Sequence, residues 1–397
     1  MTPALPVTNY TLGALMYLVA WCVSPPLAYG NAFRLLALVA LGMLIVPQFR
    51  LNEKSLQKNY LAIVTFIGYV VLAMLLTRDS YIYRIGTIIL VSLMICSFQV
   101  EYSTASKKFQ VLLIFALVLC TLWNLTSLRG LAANPGIMRV LAKNSENSAM
   151  YARQGIGGYG YVYTVLLMLP LAWEICLRRE SDAVLLWCAR IFLVTTYLLI
   201  MKSAYFLAEI LSVTIIPLYF VLQMKNAQHR VAVFFLVVIL AGVLIAFADS
   251  ILLTLHDLVG ISSIKAKIWD TYQLLNGTET IEDSEFATRH QRYGSSLVYA
   301  LTHPIFGGLR YAVTGNHSHI LDIGAQYGLL VLWGYVHMMY QPLKRMMSSG
   351  STAVTLVAVV LLVVVMLNSA PFALGAVLFI VMPAYVRIFQ QQKLMNG

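Results

Sequence analysis

The chain has 397 residues, of which 60% are apolar and only 11% are Asp, Glu, Lys or Arg. Together with a mean hydropathy of +0.79, this composition excludes an ordinary soluble globular domain. The formal net charge is +11, but the cations lie mainly in short connections between apolar runs, which indicates membrane anchoring rather than nucleic-acid binding.

Apolar runs recur along the whole chain, and a helix needs ~20 predominantly apolar residues to cross a bilayer. The sequence predicts about twelve such spans, and hence an all-α, polytopic integral membrane protein with a single transmembrane domain over 1–397. The start MTPALPVTNY lacks the basic region of a signal peptide, so the first span is predicted to be a retained anchor. The predicted spans are 9–24, 32–48, 59–77, 81–98, 109–128, 156–177, 183–201, 204–222, 231–252, 318–340, 352–369 and 372–389.

The connections between these spans alternate in charge. Short cytoplasmic loops retain Lys and Arg, because the translocation of these residues is disfavoured. Basic residues follow every even-numbered span, so both termini are predicted to be cytoplasmic. These residues are Arg50, Lys54, Lys58, Lys107, Lys108, Arg178, Arg179, Lys225, Arg230, Lys344, Arg345, Arg387 and Lys393.

Two outward connections, 129–155 and 253–317, are much longer than the others. Loops of this length are usually functional or disordered, and the second contains helix-compatible stretches. Arginine suits a phosphate or pyrophosphate ligand, because its planar guanidinium offers forked donors. Arg153, which precedes the glycine-rich QGIGGYGYVY, is a candidate for this role. Contact with lipid headgroups is the favoured explanation for four other cations, Arg129, Lys143, Lys265 and Lys267.

The stretch TGNHSHILDIG, 314–324, places two imidazoles and a carboxylate where the second long loop enters the span 318–340. We predict that Asn316 is the N-cap of this helix and that the helix dipole favours the carboxylate of Asp322. These roles leave His317 and His319 unexplained. A neutral imidazole at a membrane surface can accept the proton of an attacking hydroxyl. Interfacial histidines without a catalytic role are the alternative.

The stretch ATRHQRYGSSLVYALTHPIFGGLRYAVTGNHSHILDIGAQYGLL, 287–330, resembles the C-terminal signature of Wzy-type O-antigen and polysaccharide polymerases. In that signature an Arg-bearing helix leads to an HP-x-x-G turn and then to a G-x-HS-x-x-LD segment. The matching residues here are Arg289, Arg292, His303, Pro304, Gly307, Gly315, His317, Ser318, Leu321 and Asp322. An R-x15-G spacing in each long loop, from Arg139 to Gly155 and from Arg292 to Gly308, resembles a paired motif of the same family.

The resemblance implies an enzyme of the bacterial inner membrane with its site on the periplasmic face. Its substrates would be glycans linked to undecaprenyl pyrophosphate, and a growing chain would be transferred onto a new lipid-linked repeat unit. It implies His317 as the general base, and Arg289 and Arg292 as stabilisers of the departing pyrophosphate. The further substrate-binding residues would be Arg153, Arg139, Arg310, His319, Asp322 and Lys202. A chain-length regulator protein is an expected partner.

No metal or other cofactor is expected, because pyrophosphate is already a good leaving group and no set of carboxylates, histidines or cysteines has metal-ligand spacing. Two alternatives stay open. O-antigen ligases share the resemblance, but they typically carry Ser-Arg where this chain has Lys202-Ser203, and HN-x-x-L where it has HS-x-x-LD. A transporter of lipid-linked sugars usually has short connections on both faces, which the long loop 253–317 disfavours.

Overall fold

The computed structural model describes residues 7–28, 31–49, 68–69, 106–135, 137–138, 141, 145–178, 182–203, 205–224, 228, 247–258, 265, 268–269, 272–273, 285–308, 318–368 and 374–396. Every regular element in these ranges is helical, as the sequence predicts. The helices of nine or more residues are α1 (Asn9–Val23), α2 (Asn31–Phe49), α3 (Ser106–Ala133), α4 (Ser145–Arg153), α5 (Tyr159–Leu177), α6 (Ala183–Ser203), α7 (Phe206–Gln223), α8 (Ala248–Leu258), α9 (Glu285–Thr302), α10 (His319–Tyr327), α11 (Leu329–Met347), α12 (Thr352–Leu367) and α13 (Met382–Asn396). A π-helical turn, Val377–Val381, precedes α13 directly.

Among the described residues, the helices α3, α5 and α6 are long and apolar enough to cross a membrane. They correspond to the predicted spans 109–128, 156–177 and 183–201. Shorter apolar helices occupy Asn9–Val23, Ala32–Leu44, Leu207–Gln223, Thr352–Leu367 and Val377–Phe389. The chain is therefore a helical membrane protein. The number of twelve spans stays a prediction, since 81–98, all of 59–77 except 68–69, and most of 231–252 lie outside the described residues.

Helix α5 is the central helix of the bundle. In its most apolar stretch 78% of the residues are buried, against 39% in α3 and 44% in α6. It packs against α6, α7 and α12. A helix that is apolar on every side is stable only when its neighbours or lipid cover all of its surface, and α5 meets this condition through protein contacts.

A buried polar network connects α3, α5 and α6. The Asn124 side-chain amide donates to Thr196 Oγ1 at 2.8 Å and to Thr195 Oγ1 at 3.2 Å. The Tyr161 hydroxyl lies 2.8 Å from Asn124 Oδ1 and 2.7 Å from the Cys120 carbonyl oxygen. Interhelical hydrogen bonds in membranes each contribute ~1 kcal/mol, so this network sets the register of the three helices.

A second polar cluster closes the other end of α5. The buried carboxylate of Glu174 accepts hydrogen bonds from Ser351 Oγ at 2.7 Å and from the Ala353 amide at 2.8 Å. It also forms a 3.0 Å ion pair with Arg178, one turn further along the helix. Glu174 thus neutralises the positive N-terminal end of α12, where Ser351 is the N-cap.

Many large apolar side chains on the outside of the bundle are exposed. In a soluble protein such a surface would aggregate, whereas in a bilayer it contacts lipid. Residues of this kind occur on α2, α3, α6, α7 and α12, and include Leu35, Val39, Leu122, Leu125, Val194, Leu198, Val213 and Leu362. The exposed apolar surface is thus consistent with the membrane assignment.

The predicted continuous span 318–340 is wrong. Two helices, α10 and α11, occupy this region and meet at Gly328, which has φ +86°. The rings of His319 and Tyr335 are 16 residues apart in sequence, ~24 Å in a straight helix, yet their centroids are 5.5 Å apart. The chain therefore bends sharply at Gly328, and α10 lies across the axis of α11. The N-cap of α10 is Ser318, not the predicted Asn316, because Ser318 Oγ accepts from the Leu321 amide.

Candidate functional site

The structure describes some of the predicted site residues and not others. Arg289 and Arg292 both belong to α9, and Arg292 is exposed. His319 is the first residue of α10, and Asp322 lies in the first turn. Arg153 and Lys202 are exposed at the C-terminal ends of α4 and α6. Three predicted residues lie outside the described residues: His317, Arg139 and Arg310.

Helices α9 and α10 lie side by side and run in the same direction. Ser296 Oγ of α9 donates to Asp322 Oδ1 of α10 at 2.8 Å. Further along, Ala300 faces Gly324, where an added Cβ would lie 3.5 Å from the Ala300 Cβ. Small residues at an interface allow two helix backbones to approach closely. These contacts join the Arg-bearing helix to the His-bearing one; we call the two helices the α9–α10 pair.

Both members of the pair are attached to the C-terminal end of α12. The Tyr293 hydroxyl donates to the Leu367 carbonyl oxygen at 2.7 Å, and the His319 amide donates to the Asn368 carbonyl oxygen at 3.0 Å. Carbonyl groups at a helix end have no partner within the helix, so the end of α12 supplies two adjacent acceptors. Tyr293, which follows Arg292, and His319, which lies two positions after His317, therefore bind adjacent carbonyl groups.

Position 289 lies on the same side of α9 as Ser296, which contacts α10. It precedes Ser296 by seven residues, which is about two helical turns, and Arg292 precedes Ser296 by four. Residues at these spacings share a helix face. Both arginine positions therefore belong to the side of α9 that carries Ser296 and packs against α10.

The imidazole of His319 is engaged by the protein itself. Its Nε2 lies 2.9 Å from the hydroxyl oxygen of Tyr335 on α11. Which of the two atoms carries the shared proton depends on the tautomer. This contact crosses the bend at Gly328 and fixes the start of α10 against α11, so His319 has a positioning role whether or not it also binds a substrate.

The HP-x-x-G sequence forms a turn that docks onto the bend between α10 and α11. The Gly307 amide donates to the His303 carbonyl oxygen at 2.9 Å, and the Leu329 amide donates to the Pro304 carbonyl oxygen at 2.7 Å. The Gly308 amide donates to the Ala325 carbonyl oxygen at 2.8 Å. These backbone hydrogen bonds hold the end of α9 at the end of α10.

Two glycines make this docking possible. Gly307 has φ +62° and Gly328 has φ +86°, a region that disfavours other residues. A Cβ on Gly307 would lie 2.5 Å from the Gln326 carbonyl carbon, and one on Gly328 would lie 2.4 Å from the Ile305 carbonyl oxygen. Backbone packing therefore explains glycine at positions 307 and 328 without any contact to a substrate.

The first glycine-rich element, which follows Arg153, packs against α3. Gly155 has φ +81°, and an added Cβ would lie 2.6 Å from the Trp123 ring. The Gly157 amide donates to Ser127 Oγ at 2.8 Å. These contacts fix the start of α5 against α3. Arg153, the last residue of α4, is exposed.

A row of tyrosines connects the first long loop to the end of α12. The Asn368 side-chain amide lies 3.4 Å from the Tyr163 hydroxyl oxygen. The ring of Tyr159 contacts those of Tyr163 and Tyr205, with centroids 4.7 and 5.2 Å apart, and the Tyr205 hydroxyl donates to the Met138 carbonyl oxygen at 2.8 Å. These tyrosines and Asn368 were not predicted as site residues, because tyrosines near span ends are typical of interfacial belts.

The structure does not join every predicted residue to the α9–α10 pair. Within the described ranges, no hydrogen bond or ion pair links Arg153 or Lys202 to α9 or α10. The same ranges contain no group of three or more His, Cys, Asp or Glu side chains that could hold a metal ion.

Comparison with known proteins found no relative of this chain. No family model, no curated protein and no solved structure matches the chain.

Proposed function

We propose that the protein is a membrane-embedded glycosyltransferase that polymerises lipid-linked glycans. One observation supports this proposal above others: the Arg-bearing α9 and the His-bearing start of α10 meet at the end of α12, through Tyr293 and His319. Glycosyl transfer from a pyrophosphate needs a base for the acceptor and cations for the leaving group. The two motif segments carry these two groups of residues.

In the proposed reaction the donor is a glycan on undecaprenyl pyrophosphate, and the acceptor is a lipid-linked repeat unit at the periplasmic face of the bacterial inner membrane. The acceptor hydroxyl oxygen bonds to the anomeric carbon while the bond from that carbon to the pyrophosphate oxygen breaks. His317 takes the hydroxyl proton. Undecaprenyl pyrophosphate leaves with the bonding electron pair.

Arg289 and Arg292 would stabilise the charge that develops on the departing pyrophosphate. One well-placed donor of this kind contributes ~3–4 kcal/mol to catalysis. Arg310, Arg139, Arg153 and Lys202 are proposed as further contacts to the phosphates or sugars.

Asp322 has a different proposed role. Its carboxylate accepts from Ser296 across the α9–α10 interface, so it holds the arginine positions of α9 next to the start of α10. We therefore describe Asp322, like His319, as a positioning residue for the proposed reaction.

The experiment is glycan elongation by the purified full-length protein in vesicles supplied with lipid-linked repeat units. We expect a ladder of longer glycans, and we expect His317→Ala to abolish it while the protein still elutes as a folded species. His337→Ala is the matched control, because His337 is a half-buried histidine on α11 that stacks on Trp333. Elongation by His317→Ala at the parental rate would contradict the proposed mechanism.

The same assay separates the alternatives. A ligase would leave the ladder unchanged and transfer glycan only when lipid A core is the acceptor. A transporter of lipid-linked sugars would leave every glycan at its original length and move it across the vesicle membrane. Either result would replace the polymerase proposal.

A further inference from the structure

The exposed surface of α9 is divided into two strips. One strip is apolar and contains Leu297 and Leu301, which are four residues apart and 45% and 62% exposed. The other strip carries Gln291, Ser295 and Thr302, which are also exposed, together with Val298. It is mainly polar. The third side of the helix packs against α10 through Ser296 and Ala300. A helix with one protein face, one apolar face and one polar face fits a position at a membrane surface.

The apolar strip continues beyond the helix. Ile305 and Phe306 of the docked turn are 64% and 58% exposed, and Leu330 and Trp333 at the start of α11 are 60% and 63% exposed. The backbone hydrogen bond from Leu329 to Pro304 holds the turn next to the start of α11. Tryptophan is enriched at membrane–water interfaces, so Trp333 and the apolar residues of the turn suit the boundary of a bilayer.

The bend at Gly328 gives the orientation of the pair. Helices α11 and α12 have 19 and 16 residues and are joined by the short connection 348–351. At 1.5 Å per residue their lengths are ~28 and ~24 Å, so Gly328 and Asn368 lie at similar heights. Helix α10 connects these two ends, from His319 at Asn368 to Gly328. It therefore crosses between the ends of α11 and α12 at one end of the bundle, and α9 runs alongside it.

The backbone of the turn also suits this place. The carbonyl oxygens of His303 and Pro304 accept from Gly307 and Leu329, and that of Phe306 accepts from the Tyr69 hydroxyl. Irregular backbone next to hydrocarbon is tolerated only when the protein satisfies its polar groups. The turn fulfils this condition at the carbonyl groups of His303, Pro304 and Phe306.

We propose that α9 is an interfacial membrane helix whose apolar strip contacts the acyl chains of the lipid leaflet, while its polar strip faces water. This proposal goes beyond the prediction of 253–317 as a large outward loop with short helices. It places the side of α9 that carries Arg289 and Arg292 at headgroup height, next to α10, and it holds whether or not the protein transfers sugars.

The test uses neighbouring residues as matched pairs. Leu301→Cys and Thr302→Cys place a nitroxide spin label on the apolar and on the polar strip of the same turn, and Leu297→Cys with Ser295→Cys repeats the comparison nearer the start of the helix. The full-length protein is reconstituted in vesicles of phosphatidylethanolamine and phosphatidylglycerol. Collision with oxygen, which concentrates in hydrocarbon, is compared with collision with a water-soluble nickel chelate. The parent protein, labelled in parallel, gives the background from its native cysteines.

We expect the ratio of oxygen to nickel collision rates to be several-fold higher at residues 301 and 297 than at residues 302 and 295. Equal and high nickel collision rates at both members of each pair would show that α9 lies in water, and would overturn the proposal. Low collision rates of both reagents at 301 and 297 would show that protein covers the apolar strip, and would overturn the proposal as well. The second pair keeps the test decisive if one variant fails to fold.

Discussion

The central bundle and the α9–α10 pair are held together in different ways. In the bundle, buried side chains make the contacts between helices, as Glu174 does at the start of α12 and Asn124 does between α3 and α6. In the pair, backbone hydrogen bonds and glycines make many of them, as at Gly307 and Gly328. Removing a side chain should therefore destabilise the bundle most, whereas adding a side chain should destabilise the α9–α10 pair most.

The largest effect is expected from Glu174→Ala. The substitution removes the acceptor for Ser351 and Ala353 and leaves Arg178 without its buried partner. Each buried donor that loses its acceptor, here Ser351 Oγ and the Ala353 amide, costs about 1–3 kcal/mol. We therefore expect a large fall in the thermal unfolding temperature of the purified protein in detergent.

Two variants serve as controls for that experiment. Glu174→Gln keeps an acceptor oxygen for Ala353 and should lose less stability than Glu174→Ala. Asp257→Asn changes a highly exposed carboxylate beside His256, and a surface pair of this type contributes at most about 1 kcal/mol. Equal unfolding temperatures for Glu174→Ala and Asp257→Asn would contradict the role assigned to Glu174.

An intermediate effect is expected from Gly328→Ala. The added Cβ meets the Ile305 carbonyl oxygen at 2.4 Å, and the left-handed backbone at this position disfavours alanine. Strain of this kind costs about 1–3 kcal/mol, and the HP-x-x-G turn should separate from the bend. Differential scanning measurements of unfolding, together with the glycan elongation assay, should both show a loss.

Gly334→Ala is the matched control on the same helix. Nothing lies within 4 Å of its added Cβ, and alanine is favoured over glycine inside a helix by about 0.5–1 kcal/mol. Gly334→Ala should therefore be neutral or slightly stabilising. If Gly328→Ala is also neutral or stabilising, docking of the HP-x-x-G turn does not require the positive φ of Gly328.

The smallest effect is expected from Ser296→Ala, which removes the hydrogen bond to Asp322. A hydrogen bond of this type contributes about 1 kcal/mol, and its loss should lower elongation more than stability, because α9 moves relative to α10. Ser295→Ala is the control, since that hydroxyl donates to the Arg292 carbonyl oxygen within α9 itself. Identical elongation rates for the two variants would argue against Asp322 as a positioning residue.

The sequence predicts the bundle better than the pair. Length and hydropathy are sufficient to locate α3, α5 and α6 within a few residues, because a membrane helix must be long and apolar. They do not reveal the bend at Gly328, since the apolar run continues through it and a positive φ leaves no trace in hydropathy. Glu174 was missed for a related reason: its partners, Ser351 and Ala353, are distant in the sequence.

The candidate site was predictable only as separate motifs. The sequence places Arg292 and His319 in one long segment, but only the fold shows that both segments attach to the end of α12. Tyr163 and Asn368 join this region through contacts between distant helices, which a local pattern does not indicate. The roles of His317, Arg139 and Arg310 stay predictions, because these residues lie outside the described residues.

The most direct measurement compares the elongation rates of Arg292→Ala, His317→Ala and the double variant with that of the parent protein. Residues that act in one site are strongly non-additive. If α9 and the start of α10 form one catalytic site, each single variant should be slow and the double variant should be no slower than the slower single one. If the fold losses in rate of the two single variants multiply in the double variant, the two segments do not act together. Single variants that elongate glycans at the parental rate would show the same.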